Sequence, residues 1–129
     1  MRHLVDAHSL IWALDDPRKL GIRAVAVLED PASELLVSVG TIWELSIKVG
    51  LGKLSLSLPY RTWMEKALID LALVVSPITL EVAERQMALP FHHRDPFDRL
   101  LAAQCLVEAI PIVSADSVFE QYGVGRIWD

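Results

Sequence analysis

Short apolar runs such as HLV (3–5), ELLVSV (34–39), ALVVS (72–76) and PIVSA (111–115) show no alternation of polar and apolar positions. That absence constrains the fold more than any other feature. A strand with one wet face alternates with period two, whereas a run that is apolar throughout is buried on both faces, as in a parallel sheet covered by helices. Between these runs lie amphipathic segments with helical spacing: AHSLIWALDD, GIRAVAVLED, GTIWELSIKVGLG, YRTWMEKALIDLA, TLEVAERQMAL and PFDRLLAAQCLVEA, then a short one, DSVFEQY, before a last strand, GRIW. Pro17, Pro31, Pro77 and Pro90 punctuate them, and Gly50 and Gly52 end the third. Strands alternating with helices predict an α/β fold, an α/β/α sandwich with a central, mainly parallel sheet. No repeat or linker divides residues 1–129, so one domain is expected.

Composition is in keeping with a buried core. The chain is 53% hydrophobic and 22% charged, and its mean hydropathy of +0.37 exceeds what one small core uses. We expect the excess to be surface covered by another chain. The longest uncharged stretch, Leu71 to Leu80, contains Pro77 and falls short of the roughly 20 residues a membrane span needs. Asp6 interrupts the N-terminus before an apolar run develops, so a secretory leader is not expected and the cytoplasm is the expected location. The lone Cys105 makes no internal disulfide and reads as a small buried hydrophobe.

Net charge is −5. Sequence-blind binding of nucleic acid uses a positive surface, so a nucleic-acid protein with this balance needs local basic residues, metal ions, or both. The positions of the acids bear on that requirement. Asp6 directly follows the first strand, Asp116 follows the last residues of PIVS, Glu44 lies early in the helix after the second strand, and Asp98 opens the helix that leads to PIVSAD. Each has a plainer role open to it: Asp6 and Asp116 as helix caps, Thr41 and Glu44 as a capping box, Asp98 as a dipole partner. Taken together they converge on one sheet edge, the edge where open α/β sheets bind ligands. Two carboxylates about 4 Å apart repel by about 4 kcal/mol at an effective dielectric near 20. A hard divalent cation, Mg²⁺ or Mn²⁺, relieves that repulsion with oxygen ligands.

VDAH near the N-terminus, IWELSIKVGLGKL in the middle, and HHRDPFDRLLAAQ and IVSADSVFEQYGV toward the end resemble the PIN-domain family, and within it the VapC-type toxins of toxin-antitoxin pairs. The resemblance runs from Leu4 to Trp128. It implies a metal-dependent endoribonuclease with Asp6, Glu44, Asp98 and Asp116 as its acidic set. It also implies that Ser114 holds the geometry of the site through its hydroxyl, that cleavage leaves 5′-phosphate and 3′-hydroxyl ends, and that a cognate antitoxin restrains the enzyme.

Chemistry and resemblance meet here. Cutting a phosphodiester needs a deprotonated water, charge relief on the phosphoryl oxygens and help for the leaving oxygen, all of which bound cations supply. Asp6 and Asp116 are expected as direct ligands, Asp98 as a further one, and Glu44 as a shell member or a guide for the water. Lys48, Arg94 and Arg99 flank the acids and are candidate RNA contacts, although Glu44 with Lys48 and Asp95 with Arg99 are also spaced for ion pairs. The four histidines are assigned structural or substrate-contact roles, and Trp12, Trp43 and Trp63 core or interface burial. Apolar surface on AHSLIWAL and GIRAVAVLED is expected to receive the antitoxin or a second copy. A catalytically silent binding module and a DNA nuclease are the alternatives.

Overall fold

In the computed structural model, which describes residues 1–129, strands and helices alternate nearly throughout. They are β1 (Arg2–Val5), α1 (Ala7–Asp15), α2 (Ile22–Glu29), β2 (Glu34–Ser38), α3 (Val39–Gly50), α4 (Tyr60–Asp70), β3 (Val74–Ser76), α5 (Leu80–Ala88), α6 (Pro96–Glu108), β4 (Ile112–Val113), α7 (Val118–Gln121) and β5 (Arg126–Ile127), with a single 3-10 turn at Pro17–Lys19. The strands form one sheet in the order β3-β2-β1-β4-β5, and every pairing is parallel. The last two strands are shorter than the apolar runs that encode them.

The sheet order explains why the strand sequences lack alternation. Leu4 faces one side with Leu36 and Ile112, packed on Val82, Leu101 and Phe119 from α5, α6 and α7. Val5 faces the other with Leu35 and Val37, packed on Leu10, Leu45, Trp63 and Ala67 from α1, α3 and α4. Neighbouring strand residues therefore serve opposite cores, and both must be apolar. The chain runs outward from β1 through β2 to β3, then returns to the other side of β1 for β4 and β5. Strand order thus reverses at β1, with helices on opposite faces either side of it.

Local signals set most boundaries. Thr79 Oγ1 accepts from the Val82 amide and caps α5, while Asp95 caps α6 with Pro96 in its first position. The start of α3 differs from expectation. Ser38 is the cap, accepting from Gly40 N at 2.9 Å. Thr41 instead lies inside the helix, buried, with an Oγ1 that has no partner. Strand β2 passes directly into α3, so the cap falls on the last strand residue.

Trp63 is fully buried, and Trp12 packs against Trp128 with ring centroids 5.7 Å apart. Trp43 lies outside the core and is 62% exposed in the single chain. Cys105 is buried, and desolvation pushes its thiol up to about 12, so it packs as an inert hydrophobe. No helix is long and apolar enough to cross a membrane.

Candidate metal centre

The expected acids gather at the carboxyl edge of the sheet, around the reversal of strand order. Asp6 leaves the end of β1, and its Oδ1 accepts from Ser9 N at 2.9 Å, capping α1. Ser114 leaves β4 fully buried, with Oγ accepting from the Asp116 amide at 3.0 Å. Asp116 in turn accepts from Val118 N. Asp98 sits in the first turn of α6. Glu44, in the second turn of α3, is buried and bonded to Lys48 Nζ at 2.7 Å. The approach of α3 to α6 depends on Gly40, where an added Cβ would lie 2.4 Å from Leu100 Cδ2.

Capping and clustering coexist, and the electrostatics separate them. A carboxylate that only caps a helix has its charge favoured by amide donors and dipole. Asp98 shows the opposite. Burial first, then the charges of Asp95, Asp116 and Asp6, push its carboxyl up to about 7, against the pull of His93. Asp6 is also held above the ordinary carboxylate range by burial, opposed by the hydroxyls of Ser114 and Ser9. Lys48 is raised by its bond to Glu44, and feels Asp95 and Asp98 as well. The acids therefore share one field, and the chain supplies too little positive charge to balance it.

The tightest group is not the expected four. Ligand atoms of His93, Asp98 and Asp116 all lie within 4.8 Å of one another, while Asp6 and Glu44 stand outside that group. From sequence His93 is expected only in a structural or substrate-contact role, since adjacent histidines point in different directions before a helix start. Its place comes from two anchors on the loop before α6. The Tyr122 hydroxyl accepts from His93 N at 3.0 Å, and His93 Nδ1 accepts from Asp95 N at 2.9 Å. With Nδ1 as acceptor, the ring proton sits on Nε2, which faces Asp98 Oδ2 at 3.6 Å. In this tautomer His93 is a donor toward the carboxylates, not a ligand. It stands on the side of Asp98 that a cation would also seek.

Arg99 is a correction. It was grouped with the RNA contacts and with Asp95, but it is 4% exposed and meets no carboxylate. Its guanidinium donates to the carbonyls of Pro90, Gln86 and Leu89 and lies over the Phe91 ring at 4.3 Å. It ties the end of α5 to the loop that carries His93. Arg94 is exposed in that loop, and Lys48 is half-buried on α3.

The donor set fits a hard divalent cation: carboxylate oxygens, partly desolvated and mutually repelling, with room for water. The site is an open edge, not a cavity. The largest groove, about 460 Å³, lies elsewhere, lined by Ala13, Leu20, Val25, Leu28 and Leu71 among others. An open edge suits a polymer better than a small ligand.

The family model described as PIN domain matches residues 3–125. Among solved structures, the chain is similar to VapBC2 from Rickettsia felis, described as bound to a DNA fragment from their promoter, with TM-score 0.75, 14% identity and 100% of each chain covered. It is similar to FitAcB from Neisseria gonorrhoeae at TM-score 0.66 and 18% identity, over 98% of this chain and 96% of that one. It is also similar to VapBC-1 from nontypeable Haemophilus influenzae at TM-score 0.64 and 17% identity, again over 98% and 96%. No curated protein sequence matches it.

Proposed function

The chain belongs to the PIN-domain family, and from that premise we propose that it is a divalent-cation-dependent endoribonuclease acting as the toxin of a toxin-antitoxin pair. One observation carries the reading: Asp98 and Asp116, from separate segments, bring ligand atoms within 4.8 Å of one another beside the reversal of strand order, and burial first, then the charges of Asp95, Asp116 and Asp6, raises the Asp98 carboxyl to about 7. Acids that served only as caps would have no reason to meet.

In this mechanism Asp98 and Asp116 would hold Mg²⁺ or Mn²⁺ through their carboxylate oxygens, with Asp6 behind them at the end of β1. When bound, the cation supplies an acidified water and relief for the charge on phosphoryl oxygens. Ser114 is a positioning residue, setting Asp116 through its amide and meeting the Asp6 carboxylate. Lys48 fixes the Glu44 carboxylate by their 2.7 Å bond, and exposed Arg94 is available to backbone phosphate. His93 donates from Nε2 toward the same oxygens, in position to contact a phosphate drawn there.

An antitoxin partner is supported by the apolar groove between α1 and α2, and by relatives of like fold whose structures are described as VapBC and FitAcB assemblies. The test is incubation with structured RNAs, and with DNA of the same sequences, with and without Mn²⁺, beside Asp6→Asn. Cation-dependent RNA cleavage lost in the variant supports the enzyme, whereas equal cleavage by both refutes it. Growth arrest on expression, relieved by the same substitution and by a co-expressed antitoxin, tests the toxin role.

A further inference from the structure

Trp43 is an exposed aromatic residue on the helix that carries Glu44, and neither capping nor core packing explains it. It precedes Glu44 on α3, and its ring meets Phe97 edge-on, with centroids 5.8 Å apart and planes at 73°. Phe97 in turn precedes Asp98. An edge-on contact covers at most one face of the indole, and the ring's 62% exposure leaves the other to solvent. Exposure alone is ordinary for a single apolar side chain; what sets this ring apart is a flat open face beside the acidic edge, held in place by Phe97.

We propose that Trp43, braced by Phe97, is a stacking platform for one nucleobase of a single-stranded substrate. The proposal rests on the nuclease reading and adds to it a substrate-contacting residue outside the acidic set. Two observations select the occupant. The platform is tied to the acidic edge on both sides, since Trp43 precedes Glu44 and its partner Phe97 precedes Asp98, so a cation held by Asp98 and Asp116 would draw a phosphate toward the same edge. Positive charge is available at the same edge: Lys48, on the same helix, pairs with Glu44 and feels Asp95 and Asp98, and Arg94 is exposed in the loop before α6. A flat apolar ring with cations beside it matches an unpaired nucleotide, whose π-face and phosphate need just those two surfaces. A base inside a duplex offers neither face, so the substrate is engaged at a loop or open strand.

The experiment uses the full chain with Mn²⁺ and a short single-stranded RNA of mixed sequence, its duplex, and the same strand with abasic nucleotides around the cleaved bond. Trp43→Ala is expected to lower kcat/KM on the single strand about tenfold or more, mainly through KM, with Trp43→Phe within about threefold of the parent. The Trp43→Ala defect should vanish on the abasic strand, since the deleted partner is then missing from both sides. Indole fluorescence, taken as the parent minus Trp43→Phe, should be quenched by the single strand and not by the duplex. Equal kcat/KM for parent and Trp43→Ala overturns the proposal and leaves the nuclease reading standing. Absence of all cleavage defeats the nuclease reading, and the fluorescence signal then decides stacking by itself. A Trp43 signal that responds to protein concentration and not to RNA assigns the ring to a second copy of the chain, which also overturns it.

Discussion

Asp98 is where residue chemistry and function are most directly coupled. Its folded carboxyl titrates at about 7, against 3.8 for the free group. In the metal-free protein the folded state therefore keeps a proton that the unfolded chain has lost. That contribution to stability is full below about pH 4 and is lost as pH rises through about 7. A cation reverses the trend by competing with the proton, so calorimetric Mn²⁺ titrations should show weak binding at about pH 5.5 and a plateau above about pH 8. Asp98→Asn should abolish that binding while raising the thermal midpoint in chelator, because one member of a repelling set is gone. Ser114→Ala should lower activity about tenfold and Ser114→Thr should restore it, because the hydroxyl is what positions Asp116 and favours the charged form of Asp6. Arg99→Leu should cost about 2–4 kcal/mol in denaturant unfolding, since three carbonyls lose their donor at once.

Helix α6 shows both the reach of local sequence rules and their end. Asp95-Pro96 opens it as cap and first residue, as spacing alone foretold, yet it closes on Ala109 with a φ of 54°. Alanine pays a steric cost in that left-handed conformation which glycine does not, so Ala109→Gly should raise stability by about 0.5–1 kcal/mol in thermal melts. At Gly21 the opposite holds. An added Cβ would sit 2.2 Å from the Trp128 carbonyl oxygen, and Gly21→Ala should destabilise by about 1–3 kcal/mol and loosen the C-terminal segment. Element identities were legible because apolar runs and 3.6-residue spacing are local properties. The cap of α3 was not, because Thr-x-x-Glu signals a start only where the preceding strand has already ended, and here Ser38 belongs to both elements. Trp43 and Arg99 show the same limit. Their neighbours in sequence gave no sign that one would face solvent and the other three carbonyls.

Across the whole molecule, the parallel sheet brings Asp6, Asp98 and Asp116 into one electrostatic field, with Glu44 tied to its border through Lys48. The acids could be assigned to one edge from the sequence because each follows a strand or opens a helix, and a parallel sheet sends all such positions the same way. Which of them pack tightest was not legible, since His93 joins through a loop fixed by Tyr122 and Arg99, contacts made only in the finished fold. Strand β1 is made first and needs β4, over a hundred residues later, as one of its two partners. If the protein cuts RNA as proposed, timing follows from this topology. A chain ending at Glu108 has Asp6, Glu44 and Asp98 but no β4 or Asp116, and translation mixtures programmed for it should show no Mn²⁺-dependent cleavage, whereas full-length chains should. On that reading a nascent chain spares the ribosome and message that carry it, because the blade is forged only when the last strands emerge.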